Sequence, residues 1–177
     1  EETVPFYLNT DEGNNWIEGG SSYYSIFFID QYSGWATEDE YSTGIYKSTD
    51  SGVTWAQKSS ISSSSVYFMN INTGWAVGES GSILKSTDGG ESWVSKTSGT
   101  TSNLNCIKFY DLDVGVCVGN AGIILLSTDG GESWVPQISG TTSDLKAITF
   151  TNPTAIWIVG TNGTILNTID LGNNWTL

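Results

Sequence analysis

Five short loops hold the residues of this chain best suited to chemistry. The pattern Ser/Thr-x-Asp-x-Gly-x-x-Trp fills Ser48–Trp55, Ser86–Trp93, Ser127–Trp134 and Thr168–Trp175, and a looser copy with Asn in first place fills Asn9–Trp16. The carboxylates Asp11, Asp50, Asp88, Asp129 and Asp170 return at a step of about 40 residues, the signature of a repeat architecture. Two loops add Glu91 or Glu132 three positions after the Asp, and oxygen-rich loops of that kind suit a hard cation. Every residue type in the pattern also has a structural use. The Asp accepts N–H groups of its own loop, and the first-place hydroxyl braces the other side. A Gly such as Gly90 or Gly131 takes the positive φ that other residues resist. Trp16, Trp55, Trp93, Trp134 and Trp175 are expected to bury their rings between repeats, with each indole N–H on a nearby acceptor. Since only two loops carry the extra acid, the structural use is the reading preferred for all five.

A second acidic group is "TEDEYSTG" at Thr37–Gly44, which collects Glu38, Asp39, Glu40 and Tyr41, with Glu79 at a similar place one repeat on. The sharp reading is a cation or sugar site with Tyr23, Tyr24 or Tyr41 as a stacking surface. The plain reading, preferred here, is a solvated charge run. A glycosidase would need two such carboxylates about 5–9.5 Å apart across a scissile bond. No cofactor is expected; a structural Ca2+ at these loops is the alternative left open.

Composition removes whole classes of chemistry. The chain has 6 basic residues against 19 acidic ones, a net charge of −13, and no His. All six bases are Lys. Without His there is no Ser-His-Asp system and no His-ligated zinc; without Arg there is no bidentate clamp for carboxylate or phosphate. The acidic surface repels phosphate backbones and anionic headgroups, so nucleic acid is not an expected partner. No apolar run is long enough to span a bilayer, so no membrane insertion is expected. "GESGSILKS" has a Lys-Ser pair but lacks the Gly before Lys that a phosphate loop requires. Abundant Ser, Thr, Asn, Gly and Trp point to an extracytoplasmic bacterial protein, whether secreted, periplasmic or on the cell surface.

Between the loops the chain repeats as well. "LNCIKFYD", "LKAITFTN", "SVYFMNIN" and "SIFFIDQY" correspond, as do "VGVCVGN", "AIWIVGT", "GWAVGES" and "GWATEDE". These runs are short, rich in β-branched and aromatic residues and bounded by Gly, Asn, Asp or Ser, so they read as strands. Four strands per unit, A to D, with the Asp loop between C and D, predict an all-β fold of propeller blades. The expected blades are 22–59, 60–97, 98–138 and 139–177, preceded by a half-blade at 1–21 that supplies only strands C and D. Unpaired edges are avoided in natural sheets, so the sequence is expected to be part of a larger ring, or a ring completed by a partner.

Cys106 on strand A and Cys117 on strand B are expected to oppose each other about a turn centred between Asp111 and Leu112. A cross-strand disulfide is feasible on that register and would suit an oxidising compartment; two neighbouring thiols are the alternative.

The five loops resemble the Asp-box (BNR) repeats of sialidases, xyloglucanases and sortilin-type receptors. The longer string "SGTTSNLNCIKFYDLDVGVCVGNAGIILLSTDGGESW" is similar to the repeat of photosystem II stability/assembly factor-like propellers, a family also found in secreted proteins of non-photosynthetic bacteria. The resemblance runs over essentially the whole chain and is closest from Gly74 to Trp175. It implies a propeller whose Asp boxes are structural turns on the rim away from the ligand face. It also implies a protein-binding scaffold. Sialidases depend on an Arg triad, and a chain without Arg is not expected to be one. A non-catalytic binding or assembly module, taking a protein partner or associating with itself, is therefore expected. The alternatives are a carbohydrate-active or glycan-binding propeller, and a subunit of a polymer or surface complex completed by strand donation.

Overall fold

The computed structural model describes residues 23–38 and 44–177 in full, and the backbone of two further strands, Tyr7–Leu8 (β1) and Ile17–Glu18 (β2). Asp11, Trp16, Asp39, Glu40 and Tyr41 lie outside the described residues. β1 and β2 pair antiparallel. Blade I then comprises β3 (Tyr23–Phe28), β4 (Gly34–Glu38), β5 (Ile45–Ser48) and β6 (Ala56–Ser59). Blade II comprises β7 (Ser65–Phe68), β8 (Gly74–Val77), β9 (Ile83–Ser86) and β10 (Val94–Lys96). Blade III comprises β11 (Leu104–Phe109), β12 (Gly115–Gly119), β13 (Ile124–Ser127) and β14 (Val135–Gln137). Blade IV comprises β15 (Leu145–Asn152), β16 (Ala155–Gly160) and β17 (Ile165–Thr168), with a single bridge from Asn167 to Thr176 in place of an outer strand. Within each blade the strands hydrogen-bond in sequence order as an antiparallel meander, as the repeat predicts for propeller blades.

Burial follows position in the blade. The second strands β4, β8 and β12 are buried at every residue, and β8 and β12 are covered by a neighbouring blade on both faces. The outer strands β10 and β14 are largely exposed. Blade II packs on blade III through Trp75, Val77 and Ile83 against Leu104, Ile107 and Phe109. Blade III packs on blade IV through Val116, Val118 and Ile124 against Leu145 and Ile148.

One aromatic sandwich recurs at the first two interfaces. Phe68 pairs across its hairpin with Gly74, where a Cβ would come within 2.5 Å of the ring, so the Phe lies flat over its own strand partner. The other side of the ring stacks on Trp35 of the preceding blade, with centroids 3.5 Å apart and planes within 11°. Phe109, Gly115 and Trp75 repeat the arrangement at 3.5 Å and 12°.

The disulfide expected between Cys106 and Cys117 is not formed; both are free thiols. The hairpin loop between β11 and β12 has five residues, so Ile107 opposes Cys117 and Cys106 opposes Val118. A one-residue offset turns a side chain to the other face of the sheet. Cys117 accordingly faces blade II and Cys106 faces blade IV. Cys106 stands in a series with Ser25 and Ser65, whose hydroxyls accept the backbone N–H of the next blade's inner strand at Val66 and Ile107 (3.4 Å each). The Cys106 sulfur takes the corresponding bond from Ile148, and burial pushes its thiol pKa up.

Gly131 has φ 81°, and a Cβ there would lie 2.5 Å from Trp75 Nε1, whereas Gly140 has φ 73° and open space around it. Both Ala variants meet the positive-φ penalty of about 1–2 kcal/mol, and Gly131→Ala adds an overpacking cost of about 1–3 kcal/mol. Urea denaturation should show Gly131→Ala as clearly the more destabilising; equal losses would contradict the packing described.

Candidate functional site

The Asp boxes sit on the C–D turns and are closed by their own side chains. Ser86 Oγ donates to Asp88 Oδ1 (2.8 Å) and accepts from Gly90 N (2.8 Å). Ser92 donates to the same carboxylate from its backbone N (2.9 Å, to Oδ1) and its hydroxyl (2.5 Å, to Oδ2). Asp129 is held in the same way by Ser127 and Ser133. Asp50 is held by Ser48 and Thr54, and Asp170 by Thr168 and Asn174. Both oxygens of each carboxylate are thereby occupied. These bonds favour the charged form: the Ser92 hydroxyl first, then its N–H, hold Asp88 at about 2, and Asp129 and Asp170 are likewise held at about 2. Among the described residues, no group of three or more potential metal-binding side chains is present.

The fourth box position links neighbouring elements. Its N–H donates to the blade's own A–B turn, at Ser51 to Tyr32 (3.1 Å), Gly89 to Asn72 (2.8 Å), Gly130 to Asp113 (2.9 Å) and Leu171 to Thr154 (2.9 Å). Its carbonyl accepts from the blade before. Trp35 Nε1 donates to Gly89 O and Trp75 Nε1 to Gly130 O, both at 3.0 Å and buried. Glu91, read from sequence as a possible extra ligand, reaches back to Lys47 (2.8 Å) and Lys58 (2.7 Å) of blade I. Glu132 does the same with Lys85 (2.8 Å) and Lys96 (2.6 Å) of blade II. The Lys partners lower the pKa of each Glu, but both carboxylates are half exposed, which limits each pair to about 0–1 kcal/mol. The Trp that closes each box behaves differently from expectation. Trp93 and Trp134 stand edge-on to Phe68 and Phe109, and the Nε1 of Trp93, Trp134 and Trp175 is buried without a hydrogen-bond partner. In the boxes of Trp93 and Trp134 the carbonyl at the fourth place accepts from the strand-B Trp of the blade before instead.

A second repeated turn was not recognised from sequence. Asp30, Asn70, Asp111 and Asn152 each accept two backbone N–H groups of the A–B turn, at 2.7–3.0 Å. The signal is an Asp or Asn in the same place in all four repeats, two residues past the strand-A Phe.

The opposite rim combines the B–C turns with the D–A connections. The turns are single 3-10 turns at Glu79–Gly81, Asn120–Gly122 and Thr161–Gly163, with Ser80, Ala121 and Asn162 held left-handed. Asn103 ties two of them together: its side chain accepts from Ser80 N (3.0 Å) and its carbonyl from Asn120 N (2.9 Å). Asp144 does the same for Ala121 (3.1 Å) and Thr161 (2.8 Å), and the Ala121 N–H lowers its pKa. Asn105 bridges Asn120 Oδ1 and Leu145 O, each at 2.8 Å. An open groove of about 600 Å³ runs along the Lys96–Thr101 connection of this rim.

The two described members of the acidic cluster differ in setting. Glu79 is exposed on its turn, whereas Glu38 is only 8% exposed. Burial first, then the Glu38 carboxylate, pushes Tyr46 up to about 12. Tyr23 packs 5.4 Å from Trp55 and 6.3 Å from Tyr46, while Tyr24 is 58% exposed. Glu38 Oε2 and Thr37 Oγ1 are buried without hydrogen-bond partners.

Four-stranded blades joined through Asp boxes define a BNR-repeat β-propeller. Residues 62–139 match the family described as photosynthesis system II assembly factor YCF48, and the chain resembles that factor. A solved structure of YCF48 bound to D1 peptide is similar with a TM-score of 0.68 at 19% identity, over 94% of this chain and 57% of that one. YCF48 from Cyanidioschyzon merolae gives 0.67 at 18%, over 88% and 55%. An ancestral GH74 enzyme gives 0.70 at 18%, over 97% and 25%. At these identities the likeness shows the fold, and the chain spans little more than half the length of the two YCF48 structures. No curated protein matches the chain in sequence.

With folded pKa values near 2, Asp88, Asp129 and Asp170 stabilise the fold fully above about pH 4. That contribution is lost as pH falls from about 4 towards 2. Asp129→Asn should lower the melting temperature at pH 7 and flatten its fall over that window. A variant with an unchanged profile would show that Asp129 does not organise its loop.

Proposed function

We propose that this chain is a non-catalytic binding or assembly module that works outside the cytoplasm of a bacterium. It receives a protein segment on the rim of B–C turns and D–A connections. The observation that carries this reading is the contrast between the two rims. On the Asp-box rim the carboxylates of Asp50, Asp88, Asp129 and Asp170 are held on both oxygens by their own loops. The other rim has its backbone fixed by Asn103 and Asp144 and leaves Glu79, Ser80, Ala121, Thr161 and Asn162 exposed. A surface held in place before binding loses little entropy on association.

The class of ligand is supported by the similar structure of YCF48 bound to D1 peptide. The net charge of −13 favours a neutral or basic segment and disfavours nucleic acid. The absence of His and Arg supports a role without catalysis, and the module works without a cofactor. Placement outside the cytoplasm is supported by composition alone, since the free thiols lend it no disulfide. Two other readings have an observation behind each. A glycan-binding or carbohydrate-active propeller is favoured by the buried Glu38 Oε2, which has no hydrogen-bond partner, and by the likeness to a GH74 enzyme. Self-association by strand donation, as in a polymer or surface complex, is favoured by the two-stranded pairing of β1 with β2.

Parallel peptide and glycan arrays, with a calcium titration of the melting temperature, test the proposal. Peptides should be retained, Glu79→Lys should change which ones, glycans should not bind, and calcium should leave the melting temperature unchanged. Glycan retention without peptide binding, abolished by Glu38→Gln, would overturn it in favour of the carbohydrate reading.

A further inference from the structure

The chain contains three Asp–Gly or Asn–Gly pairs: Asp88–Gly89, Asp129–Gly130 and Asn162–Gly163. Such a pair can react with itself. Gly has no Cβ, so its backbone nitrogen can approach the side-chain carbonyl carbon of the residue before it. The fold locks the two acidic pairs. Asp88 is held by Ser86 and Ser92, and Asp129 by Ser127 and Ser133. These bonds favour the ionised form, and a carboxylate is a poor electrophile. The attacking nitrogens are engaged as well: Gly89 N donates to Asn72 O (2.8 Å) and Gly130 N to Asp113 O (2.9 Å).

Asn162 has a different setting. It is exposed on the Thr161–Gly163 turn at φ 56°, and among the described residues its side chain has no hydrogen-bond partner. Ser80 and Ala121 fill the same place in blades II and III. They are exposed too, although Asn103 and Asp144 of the following blades hold their turns. Exposure therefore belongs to the position. The Asn162 carboxamide is neutral and open to water, and the residue after it is Gly. Asn174 shows the contrast: its Nδ2 donates to Asp170 Oδ2 at 2.7 Å, and a bulky Trp follows it. Ring closure at Asn162 requires its turn to open. The Thr164 N–H to Thr161 O bond (3.1 Å) that closes the turn is of modest net worth.

We propose that Asn162–Gly163 is a self-modifying site, at which Asn162 deamidates and places a carboxylate on the rim of B–C turns. The Gly163 nitrogen gives up its proton to a base and attacks Asn162 Cγ. The carboxamide C–N bond breaks, and its NH2 group takes up a proton and leaves as ammonia. The product is a five-membered succinimide. Water then adds to one of the two imide carbonyls and breaks its bond to nitrogen. Opening at the side-chain carbonyl gives aspartate; opening at the backbone carbonyl gives isoaspartate, whose main chain runs through Cβ. Water is the only reactant consumed, and the lost ammonia makes the change irreversible. The turn gains one negative charge, and in the isoaspartate form one extra backbone carbon. The chemistry proceeds whether or not this rim binds a protein segment.

Incubation of the folded chain in heavy-oxygen water, at neutral and at mildly alkaline pH, tests this. Peptide mapping with electron-transfer fragmentation then reads each residue. Asn162 should become a mixture of aspartate and isoaspartate carrying one heavy oxygen, faster at the higher pH. The chain should shift to a lower isoelectric point as it does so. Asp88, Asp129 and Asn174 should stay unchanged over the same period. In guanidinium, where the loops are opened, Asp88 and Asp129 should begin to form isoaspartate. Asn162→Ser, which installs the residue of blade II at this place, should abolish the acidic shift. Asn162 that stays intact in the folded chain while it converts in guanidinium overturns the proposal. Isoaspartate at Asp88 or Asp129 of the folded chain, at the rate seen at Asn162, also overturns it. So does an acidic shift that persists in Asn162→Ser, by placing the change at another residue.

Discussion

Trp75 meets two demands at once: its ring lies flat on Phe109, and its indole N–H reaches a carbonyl buried between two sheets. Leaving a buried indole without an acceptor costs about 1–3 kcal/mol, a cost met at Trp93, Trp134 and Trp175 and avoided at Trp75 by this carbonyl. Only a tight loop with positive φ brings a backbone carbonyl there, and the Asp box is that loop. Asp129 and Ser127 fix its shape, Gly130 supplies the acceptor, and Gly131 leaves space for the indole. The same set of constraints is met by Trp35 with the box of blade II. The loop that looks most like a ligand site is thus a joint between blades.

The interface between blades III and IV shows that the joint can be built without the polar parts. Val116 brings no donor, so no acceptor is needed, and Leu171 and Leu126 fill the space apolarly. The Lys-Glu-Lys clamp also disappears there, with Leu126, Asn173 and Gln137 in its places. Leu171 keeps the positive φ of 57°, so the loop retains its shape after losing its use as an acceptor. Box geometry is set within the loop, and its chemistry toward the neighbour is set by one or two residues.

The blade pattern was legible in the sequence because strand and turn signals repeat in register, and each copy corroborates the others. The strands between Ser65 and Thr168 follow directly from it. Cross-strand register was harder. Sequence alone places the A–B turn one residue out of step, because nothing local distinguishes an even from an odd loop until Asp111 caps a five-residue turn. That single step sends Cys106 and Cys117 to opposite faces. The partners of Glu91 and Trp35 lie in the adjacent blade, more than 30 residues away, beyond the reach of any within-loop argument. The acidic cluster was only partly legible: composition brought Glu38 and Glu79 together, whereas the fold buries one and exposes the other.

Once the Asp-box rim is accounted for, the proposed recognition surface is the other rim, where Asn103 and Asp144 stitch successive blades and the turns between them face solvent. That assignment depends on the boxes being joints. The most direct measurement is a double-mutant cycle between Trp75→Phe and Asp129→Asn, read by urea denaturation. If Asp129 shapes the loop that accepts the Trp75 indole, the two losses are coupled by about 0.5–3 kcal/mol and the double variant loses less than their sum. Losses that add within about 0.5 kcal/mol would contradict the account and separate the box from the blade interface.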